Sequence, residues 1–104
     1  MALNTLEFDC KAEAATVRLA APVHYGVVGS GDLEVILEPC DLKGGVKVKV
    51  TTPVGGFDAV WRKVVQAFVN RAKLADVAID INDNNASPAV VSMRLQQALA
   101  ETAA

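Results

Sequence analysis

The sequence predicts an α+β fold, a two-layer sandwich in which two helices cover one face of a mostly antiparallel sheet of about five strands. In the first half of the 104-residue chain, apolar residues alternate with polar ones, which is typical of strands with one buried face. After residue 56 the apolar residues recur at the spacing of an amphipathic helix. The predicted element order is ββββαβα, in a single domain that spans residues 1–104.

Four strands are predicted before the first helix. Their alternating segments are residues 6–10, 16–19, 32–38 and 46–50, and a turn at residues 41–45 precedes the last of them. The outward side chains form a polar face, which we interpret as solvated; a polar docking surface is the alternative. The predicted residues of this outer face are Glu7, Asp9, Arg18, Glu34, Glu38, Lys47, Lys49 and Asp80.

The first helix is predicted to begin after Gly55 and Gly56, with Asp58 near its positive end. The apolar stripe that should face the core consists of Phe57, Val60, Trp61, Val64, Val65, Phe68 and Val69. A final strand at residues 77–82 follows, with its odd-numbered residues buried.

The second helix has strong start signals, with Ser87 as the N-cap and Pro88 at the first helical position. The side chains that it should bury are Val91, Leu95, Ala98 and Leu99. The side chains that it should leave in solvent are Arg94, Gln96, Gln97 and Glu101.

Charge and composition exclude several classes of function. The net charge of −2 is spread along the chain, so no surface is suited to a phosphate backbone and we expect no nucleic-acid partner. No apolar run approaches the roughly 20 residues that span a bilayer, so we expect a cytoplasmic protein without a membrane segment. Cys10 and Cys40 lack close CxxC spacing, and we expect both to stay reduced, in a strand or at a strand end.

The residues needed for independent catalysis or metal binding are largely missing. His24, the only histidine, lies in a predicted strand and has no recognisable triad, and one His with two distant Cys falls short of a zinc site. Residues 80–85 resemble the start of a calcium loop, but Asn85 and Val91 replace the required Gly and Glu. The acidic stretch is better interpreted as a strand end and an Asx-type turn that leads to the Ser87 cap.

The remaining candidate is Ser30, which lies between Gly29 and Gly31. By its spacing alone, Gly-Ser-Gly is typical of a plain hairpin turn. Glycines on both sides would also leave the serine hydroxyl open to a modifying enzyme. Ser30 is therefore a candidate attachment point that needs no catalytic neighbour.

Two segments resemble a known family. The run Val28-Gly-Ser-Gly-Asp-Leu-Glu-Val-Ile-Leu-Glu-Pro39 is similar to the serine motif of the acyl carrier (delta) subunit of malonate decarboxylase. Residues 79–99, which end in Arg-Leu-Gln-Gln-Ala-Leu, resemble the same family's aspartate-bearing strand and its Pro-started helix. The serine motif is the more specific of the two.

The resemblance implies that Ser30, flanked by Gly29 and Gly31, carries 2'-(5''-phosphoribosyl)-3'-dephospho-CoA through a phosphodiester. Acetyl and malonyl groups would be held on its thiol as thioesters while malonate is converted to acetate and CO₂. The chain would then be a non-catalytic carrier that needs an exposed anchor and a docking surface but no pocket. Tethering would raise the local concentration of the acyl group at each active site.

The implied partners are an acetyl-carrier:malonate transferase subunit, the malonyl-carrier decarboxylase subunits, the prosthetic-group transferase and the malonyltransferase that loads the arm. Three alternatives remain: a carrier subunit of the citrate lyase type, a scaffold subunit in which the Gly-Ser-Gly segment is only a turn, and a small enzyme. Asp32 would either assist the attaching enzyme or cap the turn.

Overall fold

A computed structural model describes residues 3–26, 29 and 31–101. The strands are β1 (Asn4–Cys10), β2 (Val23–Gly26), β3 (Asp32–Pro39), β4 (Val46–Thr52) and β5 (Val77–Asn84), and the helices are α1 (Asp58–Ala72) and α2 (Pro88–Glu101). The order is the predicted ββββαβα. None of the described helices is long and apolar enough to cross a membrane.

The five strands form one sheet in the order β1-β4-β5-β3-β2. Three neighbouring pairs are antiparallel, and β4 and β5 are parallel. Parallel neighbours require a crossover connection, and α1 supplies it. The prediction of a mostly antiparallel sheet in an α+β sandwich is confirmed.

The core lies between the sheet and both helices. Odd-numbered residues of β3 and β5 point into it, and directly opposed pairs such as Val35 with Ile81 are fully buried. The helices contribute Trp61, Val65, Phe68, Val69, Val91, Leu95 and Ala98. Leu99 is only partly buried against this cluster. Because both helices share one cluster with the sheet, they lie on the same sheet face, as predicted.

The predicted strand at residues 16–19 is wrong. Val17 forms only an isolated bridge with Leu74, and the N–H groups of Thr16 and Val17 both donate to the carbonyl of Lys73. The strand that pairs with β3 is β2, which contains His24. Alternation marks an extended segment, but it does not show whether a neighbouring strand completes a ladder of hydrogen bonds.

The predicted stripe of α1 is wrong at its first turn. Phe57 is 51% exposed and Val60 is 41% exposed, whereas Trp61 and Val65 are buried. The spacing identifies the correct helix, but the core begins one turn later than predicted.

Arg18 does not belong to the outer sheet face. Its Nε donates to Asp76 at 2.7 Å, and the other carboxylate oxygen accepts from the N–H groups of Leu42 and Gly44 at 2.9 and 2.8 Å. These bonds, with that of Gly44 contributing most, lower the pKa of Asp76 to about 2. Asp76 therefore ties the β3–β4 turn to the connection between α1 and β5.

The rest of the outer face is polar, as predicted. Glu7 lies opposite Lys49 and Asp9 opposite Lys47 across β1 and β4, which are favourable cross-strand charge pairs. Glu34 accepts from Asn82 Nδ2 at 2.8 Å, and its other oxygen lies 2.8 Å from the Nε2 of the exposed His24. His24 thus has a partner on the sheet surface, which fits a structural role.

Replacing Trp61 by Ala should destabilise the domain, because this side chain is only 8% exposed and joins α1 to the core. The expected loss in the free energy of unfolding is about 3–5 kcal/mol. Urea denaturation of the full chain would measure it. The control is Met93→Ala, at an exposed position of α2, and it should change stability by no more than about 0.5 kcal/mol. Equal midpoints for the two variants would contradict the assigned packing of α1.

Candidate functional site

The predicted attachment site lies in the connection between β2 and β3. Ser30 itself lies outside the described residues, as do Val27 and Val28, but Gly29 and Gly31 are described on either side of Ser30. Gly31 has a φ of +73°, a region that favours glycine, and a Cβ at this position would meet nothing within 4 Å. The position of a side chain on Gly31 therefore faces open space.

Backbone hydrogen bonds fix the flanks of Ser30 to the sheet. The N–H of Asp32 donates to the carbonyl of Gly29 at 3.0 Å, and the N–H of Gly31 donates to the carbonyl of Asn84 at 2.8 Å. Asp32 lies opposite Asn84 in the antiparallel register of β3 and β5. The flanking glycines are thus held at the end of β5, immediately before the chain turns toward α2.

A charged pair fixes the same connection to α2. Arg94 donates from Nε to Asp32 Oδ1 and from Nη2 to Oδ2, both at 2.8 Å, and the backbone N–H of Leu33 donates to Oδ1 at 2.7 Å. The pair is bidentate, the geometry in which Arg and carboxylate bind most specifically. The Arg94 and Asp32 side chains are only 25% and 23% exposed. The prediction that Arg94 is solvated is therefore wrong.

Asp32 has a structural role at the start of β3. Its carboxylate anchors the start of β3 through Leu33 and Arg94. The two charged residues are 62 positions apart, so no local pattern could have paired them.

Hydrogen bonding keeps the Asp32 carboxyl of this pair ionised down to low pH. The bond from Arg94, followed by the bond from the Leu33 N–H, lowers the pKa of Asp32 to about 2, and the pKa of Arg94 is raised in return. A carboxyl whose folded-state pKa is lowered stabilises the fold above its unfolded pKa and loses that contribution as pH falls through the folded pKa. The pair should therefore persist until the pH approaches about 2.

Asp83 organises the connection from β5 to α2. It is 5% exposed and accepts from Thr52 Oγ1 at 2.8 Å, and its carboxylate also accepts from the N–H groups of Asn85 and Ala86 at 3.1 and 2.9 Å. Ser87 Oγ then accepts from the N–H of Val90 at 3.3 Å. The predicted Asx-type turn and Ser87 cap are both confirmed.

An apolar groove opens at this end of the fold, where the N-terminal turns of α1 and α2 meet the ends of β4 and β5. Its volume is about 360 Å³, and its apolar walls include Phe57, Val60, Trp61, Pro88 and Val91. Its polar lining residues are Thr52, Asp83, Asn85 and Ser87. No pattern in the sequence indicates this groove, because its walls come from four separate elements.

The described side chains at this site hold neighbouring groups in place and do not form a reactive cluster. Within the described ranges, no group of three or more His, Cys, Asp or Glu side chains could hold a metal ion. Cys10 and Cys40 are both free and lie at strand ends as predicted; Cys10 is buried, which raises the pKa of its thiol, and Cys40 is exposed. Asp32 is engaged by Arg94 and Asp83 by Thr52.

The family model of the malonate decarboxylase delta subunit (MdcD) matches residues 20–102, which include the Gly-Ser-Gly segment, Asp32 and Arg94. The chain belongs to the malonate decarboxylase delta subunit family. The predicted resemblance is confirmed, although it rested on only two segments of the sequence.

Relatives of this delta-family chain match over nearly its whole length. A malonate decarboxylase acyl carrier protein from Malonomonas rubra is 52% identical and covers 95% of this chain and 88% of its own. A protein of the same description from Acinetobacter calcoaceticus is 40% identical, with 93% and 94% covered.

The fold also has a counterpart in a solved assembly. One chain of the crystal structure of a Pseudomonas malonate decarboxylase hetero-tetramer in complex with malonate is similar to this delta-family chain, with a TM-score of 0.74 and 32% identity. The similarity covers 98% of this chain and 99% of the other. The two-layer fold is therefore found in a multi-subunit malonate decarboxylase.

Replacing Arg94 by Gln should raise the pKa of Asp32 from about 2 toward the ordinary aspartate value, because the largest cause of its lowering is removed. The Leu33 N–H should keep the pKa somewhat below that value. Carboxyl ¹³C NMR titration would measure the change. Arg71→Gln, in the last turn of α1, is the matched control and should leave Asp32 unchanged. An unshifted Asp32 in the Arg94 variant would show that the pair does not form in solution.

Proposed function

We propose that the protein is the acyl carrier subunit of a malonate decarboxylase and that Ser30 carries 2'-(5''-phosphoribosyl)-3'-dephospho-CoA through a phosphodiester. The observation that carries the proposal is the Gly-flanked serine in a chain of this family, with its described flanks fastened to β5 and α2. When attached, the arm supplies a terminal thiol that holds acetyl and malonyl groups as thioesters during conversion of malonate to acetate and CO₂.

The residues around the serine fit a bulky covalent group. A Cβ on Gly31 would meet nothing within 4 Å, so the described backbone beside the anchor is unobstructed on that side. Asp32 and Arg94 neutralise each other and hold the start of β3. The chain thus supplies a rigid base for a mobile arm, and we expect it to have no decarboxylase activity by itself.

In this proposal, the partner proteins carry out the catalytic steps. The acetyl-carrier:malonate transferase subunit would exchange the acids, and the malonyl-carrier decarboxylase subunits would release CO₂. A prosthetic-group transferase would attach the arm, and a malonyltransferase would load it, all in the cytoplasm. A multi-subunit setting is supported by the hetero-tetramer that contains the similar Pseudomonas chain. A carrier of the citrate lyase type would use a similar arm, so substrate turnover with the partner subunits is the discriminating measurement.

The arm should be attached to Ser30 and to no other hydroxyl. Ser92 lies on α2, and Ser87, immediately before this helix, is already engaged in its cap. Peptide mapping after co-expression with the attaching enzymes would locate the added mass. Modification of another serine or of any threonine, or an arm that persists in Ser30→Ala, would overturn the assignment. Unmodified protein from the native host would instead support a scaffold role.

Ser30→Ala should fold and join its partners but abolish malonate decarboxylation by the assembled complex. Loss of one turn hydroxyl should change stability by no more than about 0.5 kcal/mol, whereas without the phosphodiester there is no arm. CO₂ release from malonate by the reconstituted complex would be measured.

Ser30→Cys serves as a second variant for the same measurement. It should not restore turnover, because a thiol fixed at the anchor lacks the reach of the arm. Substantial CO₂ release by the alanine variant would refute the carrier mechanism.

A further inference from the structure

The apolar groove has no role in the function proposed above. A carrier needs only an exposed anchor and docking surface, yet Phe57 and Val60 leave large apolar surfaces open at the rim of this groove. Exposed apolar surface around a concave site indicates a binding surface rather than a solvated face. The question is what covers it.

The groove lies next to the anchor. Gly31, which follows Ser30, donates its N–H to the carbonyl of Asn84, and the next residue, Asn85, lines the groove. Gly31 and Asn84 are thus in direct hydrogen-bond contact, one residue before the groove residue Asn85. An arm that begins one residue before Gly31 therefore starts close to the groove in the fold.

A second contact joins the same two places. Arg94 holds Asp32 beside the anchor, and Val91, one turn earlier on the same face of α2, forms part of the groove wall. Side chains three positions apart on a helix are neighbours. Asp32, two residues after Ser30, and one wall of the groove are therefore both held by α2.

We infer that this groove binds the acyl-bearing end of the arm when no partner subunit engages it. The inference rests on the proposed function, because it requires an arm on Ser30. The chemistry is complementary: the pantetheine part has a dimethyl carbon and two amides, and the groove has apolar walls with Asn85 and Ser87 among its polar lining residues. Docking would shield the thioester from water between visits to the active sites.

The test compares the reactivity of the arm thiol in three forms of the isolated, arm-bearing protein. Wild type, Val60→Asp and Met93→Asp would each be treated with iodoacetamide, and alkylation would be followed on the peptide that contains Ser30. Cleavage after Glu13 and Glu34 gives a Ser30 peptide that contains neither Cys10 nor Cys40. Both variants add one negative charge to an exposed apolar position, but only Val60 lines the groove.

If the arm is docked about nine-tenths of the time, its thiol should react about tenfold more slowly than the thiol of free coenzyme A. Val60→Asp should raise the rate close to that of free coenzyme A, and Met93→Asp should leave it slow. The fluorescence of Trp61, the only tryptophan, should change on arm attachment in wild type and in Met93→Asp but not in Val60→Asp.

Each contrary result has a distinct meaning. Mass analysis that finds no arm on Ser30 overturns the proposed function and this inference with it. An arm that is present but reacts as fast in wild type as in free coenzyme A overturns the groove inference alone. A slow rate that Val60→Asp leaves unchanged, together with weaker assembly of that variant with the partner subunits, would overturn it by showing that the groove docks a protein.

Discussion

The antiparallel register of β3 against β5 is the constraint on which the fold and the site both depend. It sets Val35 against Ile81 in the centre of the core and Asp32 against Asn84 at the end of the sheet. Since side chains alternate along a strand, a shift by one residue would turn every buried side chain of β3 to the solvent. Burial of this face thus fixes the register. The register in turn fixes the glycines around Ser30 near the start of α2.

The Asp32–Arg94 pair adds a second attachment at this end. It joins the first residue of β3 to the middle of α2, so the sheet and the helix layer meet directly beside the proposed anchor. A partly buried bidentate pair has better geometry than an ordinary surface ion pair. Removing either residue would leave the other charge without its partner. The same charges on an open surface would position the anchor far less well.

The function that this structure supports is to hold a tethered group in position. The described carboxylates near the anchor are used to hold backbone and side-chain groups: Asp32 binds Arg94, and Asp83 binds Thr52 and the turn that begins α2. A rigid base with a long tethered group suits a carrier, because tethering supplies the effective concentration that several active sites can share. If the apolar groove binds the arm as proposed, the fold also controls the reactivity of that group.

The sequence by itself determined the two-layer architecture, the order of elements, the Ser87 cap and the Gly-flanked serine, because these follow from periodicity and from the local preferences of Ser, Pro and Gly. Only the tertiary structure decided that residues 16–19 lie outside the sheet, that Phe57 and Val60 are exposed, and that Arg94 binds Asp32 across 62 positions. Local patterns show whether a segment has an apolar side, but not which distant element covers it. Partners far apart in the chain leave no periodic signal, so the ion pair and the groove exist only once β3, β5 and α2 are packed together.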